Sequence, residues 1–140
     1  MQELTKKQEF YLEILKEAIS KRQRIDVEYA GVHFTREPIA IGNIRFKSAF
    51  DGGGGIEMTS SLALLTVPVY EPDNQDFGIK PIVEGIDNSY AIDALIEPIF
   101  LIEMIDSVGI WESNQIQTPP EIIEVVLERV ENPIATVAIH

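Results

Sequence analysis

Hydrophobic and polar residues recur along this chain with two different periods, and each change of period marks an element. Thr5 followed by Gln8 has the form of a capping box, after which Tyr11, Ile14, Leu15, Ala18 and Ile19 recur at helical spacing. This predicts a helix over 5–22, with Lys16, Lys21 and Arg22 near its C-terminal end, where cations complement the helix dipole. From 24 to 29 the period falls to two, placing Ile25, Val27 and Tyr29 on one face and Asp26 and Glu28 on the other. Ala30-Gly31 then turns the chain into Val32 and Phe34, a β-hairpin. Pro38 calls for an edge or a bulge, and Gly42-Asn43 reads as a second turn leading to a third strand through Ile44, Phe46 and Phe50.

Residues 62–70 form a β-rich run with Ala63, Leu65, Val67 and Val69 on one face, and 79–83 has the composition of a further short strand. The most apolar stretch is 90–105. Its even positions are apolar from Tyr90 through Ile96, Phe100 and Ile102 to Met104, whereas Asp93, Glu97 and Glu103 all fall on odd positions, so the period is again two. A straight strand of that length would run ~50 Å, against a domain diameter of roughly 35 to 40 Å. Pro98, lacking an N–H, therefore predicts a break between strands at 90–97 and 99–105; the rival is one strand overhanging into a neighbouring subunit. Beyond 105 the pattern is ambiguous as far as Trp111, the only tryptophan, which suits either a lid on the core or an interface anchor. Thr118, Pro119, Pro120 and Glu121 give a helix start with threonine as cap, an amphipathic run carries it to Asn132-Pro133, and 134–139 reads as a closing strand. The predicted class is α+β: an N-terminal helix, an antiparallel sheet of six to eight strands, and a C-terminal helix followed by a closing strand, in a single domain over 1–140.

Composition changes this picture little, but charge does. The net charge of −12 lacks the basic footprint that nucleic acid or an anionic membrane requires, so neither is expected as a partner. Residues 1–47 hold nine of the eleven lysines and arginines against seven acids, a balance of +2, while 48–140 hold two against sixteen acids, a balance of −14. This asymmetry favours a head-to-tail contact that lays the first helix of one subunit on the acidic body of the next, with Lys16, Lys21, Arg22 and Trp111 as interface candidates. No apolar leader or membrane span appears in the sequence, which sets a cytoplasmic expectation, or a virion if the chain is viral.

The order of a helix, then the strand ending Tyr29-Ala30-Gly31, then Arg36-Glu37-Pro38-Ile39-Ala40-Ile41 resembles the opening of the WYL regulatory domains. The Trp-Tyr-Leu strand that names that family and its basic ligand-contacting residues have no counterparts here, and the acidic remainder has the wrong sign for a nucleic-acid-sensing pocket, so no assignment follows.

Sites of chemistry are hard to find. There is no cysteine, and the two histidines, His33 and His140, have no ligand spacing. The stretch Asp51–Gly55, an aspartate and four glycines, lacks the Lys-Ser or Lys-Thr of a phosphate cradle and reads as a mobile hairpin tip; the acidic segment 71–78 lacks the alternation and closing glutamate of a calcium loop. No catalytic residue, cofactor or metal is therefore expected. The leading expectation is a non-enzymatic assembly protein in a homo-oligomer or larger particle, with a viral head or tail component as one example; a small-ligand regulatory module is second and a small enzyme third.

Overall fold

A computed structural model describes residues 4–47, 57–69, 95–115 and 118–137, with backbone alone for residues 47 and 57 and for 112–115. Helix α1 spans Lys6–Lys21. The Thr5 side chain accepts from the Gln8 amide while the Gln8 side chain accepts from the Thr5 amide, at 3.1 and 2.8 Å, so the capping box satisfies two backbone donors that the helix leaves open. Leu12, Leu15, Ala18 and Ile19 form its buried stripe. At the far end Arg22 adopts a left-handed conformation, φ 55°, and its amide returns to the carbonyls of Ala18 and Ile19, which closes the helix and turns the chain directly into the sheet.

Strand β1, Gln23–Tyr29, pairs antiparallel with β2, Val32–Lys47, through a two-residue turn in which Ala30 and Gly31 have φ of 53° and 80°. Positive φ at both positions belongs to the primed turns whose twist matches the strands, so this hairpin is as the sequence predicts. The expected turn at Gly42-Asn43 is absent. β2 runs straight through it for 16 residues, pairing on one side with β3, Glu57–Pro68, and on the other with β1 and then with β6, Val130–Thr136. Gly42 serves a close approach instead: a Cβ there would lie 2.8 Å from Val130 Cγ1 and 2.9 Å from the Glu131 carbonyl oxygen. Pro38 sits at a register shift between Pro38 and Ala40, which is the bulge alternative.

The stretch at 95–105 departs furthest from the expected strands. Leu95 and Ile96 are helical, the Glu97–Pro98 peptide is cis, and strand β4 is only Phe100–Leu101, paired to Leu64 and Ala63. A 3-10 turn, Ile102–Met104, follows, and Ile105 already belongs to β5, Ile105–Gln115, which pairs with β1. Ile96, Phe100 and Ile102 are buried as an even face requires, but the turn breaks the alternation, exposing Met104 and burying Ile105. The remainder of the predicted strand at 90–97, the tip 51–55, the loop 71–78 and the strand at 79–83 lie outside the described residues.

The described sheet has six strands in the order β4-β3-β2-β1-β5, with β6 joining β2. The second helix, α2, covers Pro120–Leu127 and is shorter than predicted, with Pro119 rather than Thr118 in the cap position. Asn132-Pro133 does not end a helix but lies within β6, where Asn132 has φ 50° and the pairing with β2 shifts between Ile41 and Asn43. The buried core joins Leu15 of α1 to Ile25, Val27, Ile39, Leu64 and Phe100 of the sheet and to Ile122 and Val126 of α2. No helix among the described residues is long and apolar enough to cross a membrane.

Candidate functional site

The sequence-predicted contact residues fall into separate environments. Lys16 and Lys21 lie on α1 and each reaches an acid of the same helix, Glu13 at 3.4 Å and Glu17 at 2.7 Å. Arg22 is the residue that closes α1. Trp111 is 38% exposed on β5, and its partners are on β1: its indole N–H donates to Asp26 at 2.7 Å, and the Arg24 guanidinium lies 5.7 Å from its ring centroid. Trp111 sits where the ladder breaks, since β5 advances from Ile110 to Gln115 while β1 retreats only from Ile25 to Gln23. Thr35 and His33 also reach Asp26, at 2.7 and 3.3 Å, so this part of the sheet surface is a polar cluster with an indole locked at its margin.

Two adjacent β2 residues carry buried charge on opposite faces of the sheet. Arg36 is 8% exposed, and its guanidinium donates to the Thr66 hydroxyl at 2.8 Å and to the carbonyls of Leu95 and Glu97 at 3.1 and 3.0 Å. No carboxylate among the described residues pairs with it, and burial lowers its pKa to about 10, which leaves it charged at neutral pH. It ties the 95–97 segment to the sheet. Glu37, fully buried, accepts from the Thr118 hydroxyl and lies 3.5 Å from Arg24. Thr118 thus spends its hydroxyl on Glu37 rather than on the helix it precedes.

A different surface stands out at the end of the molecule formed by α1, the β1–β2 hairpin and the 3-10 turn. The three most exposed large apolar side chains among the described residues are Phe10 at 62%, Met104 at 51% and Val32 at 50%, and all belong to this end. The Gln8 side chain donates to the Glu103 carbonyl at 3.0 Å and the Tyr11 hydroxyl to the Asp106 carbonyl at 2.8 Å, which fastens the first half of α1 over residues 103–106. The Tyr29 hydroxyl accepts from the Leu101 amide at 3.2 Å and lies 3.8 Å from Met104 Sδ, which draws the hairpin, with Val32 opposite Tyr29, to the same place. Tyr29 and Phe34 pack edge-on against Phe100 beneath, at 5.2 and 5.3 Å between ring centroids.

Charges of both signs lie on these elements, with Glu9 in the same first turn of α1 as the two lysines. Lys6 and Lys7 lie on the α1 side, one turn before Phe10, with Lys7 5.7 Å from the Tyr11 ring centroid. Glu103 and Asp106 lie on the sheet side. None of these four has an ion-pair partner among the described residues, in contrast to Lys16 and Lys21. Sequence reasoning missed this end because Phe10 follows the capping box off the apolar stripe and Met104 sits on the predicted buried face. The exposed position of Phe10 on the helical wheel was the one available signal. Among the described residues no three His, Asp or Glu side chains converge as a metal site would require.

No protein-family model, curated protein or solved structure matches the chain.

Proposed function

We propose that this chain is a non-enzymatic assembly protein that works through subunit contacts, in a homo-oligomer or as one component of a larger particle such as a viral head or tail. The observation that carries this reading is the exposure of Phe10, Met104 and Val32, the three most exposed large apolar side chains among the described residues, on elements that meet at one end of the molecule, with Lys6, Lys7, Glu103 and Asp106 on the same elements and without ion-pair partners among the described residues. Contiguous exposed apolar surface rimmed by polar groups marks contact sites, and aromatic and methionine side chains are enriched in such contacts.

Light scattering at two salt concentrations tests the proposal. Exposed charges are screened over ~8 Å at physiological ionic strength, so they steer encounter, whereas buried apolar area sets persistence. Association at tens of micromolar, faster at low salt and retained at moderate salt, is the expected result. A protein that remains monomeric at that concentration in low salt would exclude self-assembly.

A further inference from the structure

We propose that Met104 is a peroxide-reactive modification site whose sulfoxide is received by the Tyr29 hydroxyl, so that oxidation strengthens a bond across the 3-10 turn instead of loosening it. The site stands apart from the assembly reading and does not depend on it.

The chain has no cysteine, so its three methionines hold all of its sulfur. Met58 on β3 is 47% exposed and Met104, the last residue of the 3-10 turn, is 51% exposed. Thioether oxidation follows exposure, so solvent peroxide reaches both. Their neighbours separate them. Met58 lies opposite Phe46 on β2, and among the described residues no polar group bonds its sulfur. Met104 has a donor in place: the Tyr29 hydroxyl accepts from the Leu101 amide at 3.2 Å and turns its own proton toward Met104 Sδ at 3.8 Å. The Tyr29 ring is held edge-on against the fully buried Phe100, so this hydroxyl is positioned before any reaction. A thioether is only a weak acceptor for it.

Hydrogen peroxide or an organic hydroperoxide supplies the oxidant. A lone pair of Met104 Sδ attacks one peroxide oxygen, and the S–O bond forms as the O–O bond breaks. Sulfur loses two electrons and the peroxide gains them. The other oxygen leaves with the proton of the transferred hydroxyl, as water or alcohol. The sulfoxide oxygen is polar and a strong acceptor, and the flexible methionine side chain turns it to the waiting Tyr29 proton. Sulfoxide disrupts a core by putting a polar group among apolar neighbours. Met104 already faces solvent, so little packing is lost while a better hydrogen bond is gained. The same exposure leaves the sulfoxide open to enzymatic reduction, which makes the modification reversible.

Full-length Met58→Leu and Met104→Leu, each with and without Tyr29→Phe, test the proposal; Met1 is common to all of them. Each chain is treated with hydrogen peroxide, oxidation is read at each methionine by peptide mass spectrometry, and melting temperatures are compared before and after in dilute solution. Every chain is its own reference, so the cost of stranding the Leu101 amide in Tyr29→Phe cancels. Met104 and Met58 should react at similar rates. Met58→Leu, which keeps Met104, should melt after oxidation at or above its untreated temperature. The change on oxidation should be roughly 2 to 4 °C more favourable with Tyr29 than with phenylalanine there, the size expected for one side-chain hydrogen bond in a chain of this length. In Met104→Leu, which keeps Met58, that change should be the same with either residue at 29. A Met104 that stays reduced while Met58 is converted would overturn the proposal. So would a fall of several degrees on oxidising Met58→Leu, a result that needs no change at Tyr29, or an oxidation shift in the Met104-containing chains that is indifferent to Tyr29→Phe.

Discussion

At the scale of single residues, two glycines separate the effect of a missing side chain from that of a missing constraint. A Cβ at Gly42 would press against Val130 and the Glu131 backbone, whereas one at Gly109 meets nothing within 4 Å. Gly42→Ala should therefore cost roughly 2 kcal/mol or more, because β6 must move away from β2, and Gly109→Ala should stay within about 0.5 kcal/mol of wild type. Urea denaturation of the two variants measures both; similar midpoints would mean that β6 does not lie as close to β2 as described. Arg36 illustrates a buried charge that destabilises in one respect and organises in another. Its folded pKa of about 10, lowered by burial from that of the free side chain, makes the charged form a net cost of roughly 3 kcal/mol. Because the folded value is the lower one, that cost is fully present below it and shrinks as pH rises above about 10 toward the value of the free side chain. Yet Arg36→Leu would strand the Leu95 and Glu97 carbonyls and the Thr66 hydroxyl, at about 1 to 3 kcal/mol for each group left unpaired, so a net loss is expected. Arg36→Lys should also destabilise, since one ammonium cannot span acceptors that the guanidinium fork reaches together. In alkaline denaturation series the difference between wild type and Arg36→Leu should widen in favour of wild type above pH about 10.

At the scale of elements, what could be read from the sequence was what is decided locally. Helix α1 follows from its capping box and apolar stripe, and the first hairpin from alternation and a turn needing positive φ at Ala30-Gly31. Errors arose where a local signal answered to a distant contact. Gly42-Asn43 has the form of a turn, but the glycine is needed because β6 crosses close by. Thr118 has the form of a cap, yet its hydroxyl goes to Glu37, 81 residues away in sequence. Asn132-Pro133 resembles a helix stop, while the structure uses it to bend an edge strand. The 95–105 stretch shows the same limit: alternation located the buried Phe100 and Ile102, but no periodicity announces a 3-10 turn. Phe100→Ala and Ile102→Ala should each cost about 2 to 5 kcal/mol, and Met104→Ala, on the same nominal face, less than about 0.5 kcal/mol in the monomer. A large loss at Met104 would restore the predicted strand at 99–105 and remove the turn that presents this side chain to solvent.

At the scale of the whole molecule, the uneven distribution of charge gives the first helix a positive excess, but its lysines differ in what the chain already places beside them. Lys16 and Lys21 are held by Glu13 and Glu17 one turn away, and such exposed pairs contribute only about 0.3 to 0.5 kcal/mol each. Their small stabilisation matters less than their occupancy: a lysine already facing a carboxylate adds little field for a second subunit. Lys6 and Lys7 have no such carboxylate among the described residues, and they stand beside the most exposed apolar side chain. Two charge-reversal variants therefore separate the two ends of one helix. Changing Lys16, Lys21 and Arg22 to glutamate should lower the melting temperature slightly, through lost pairs and acids at the negative end of the helix dipole, with little effect on the rate of association. Changing Lys6 and Lys7 should leave melting almost unchanged and slow association at low salt, with the difference disappearing as salt rises. Stopped-flow light scattering across a salt series reads both rates. The opposite outcome, with association slowed only by the changes at Lys16, Lys21 and Arg22, would move the contact to the C-terminal half of α1 and favour the head-to-tail arrangement that net charge alone suggests.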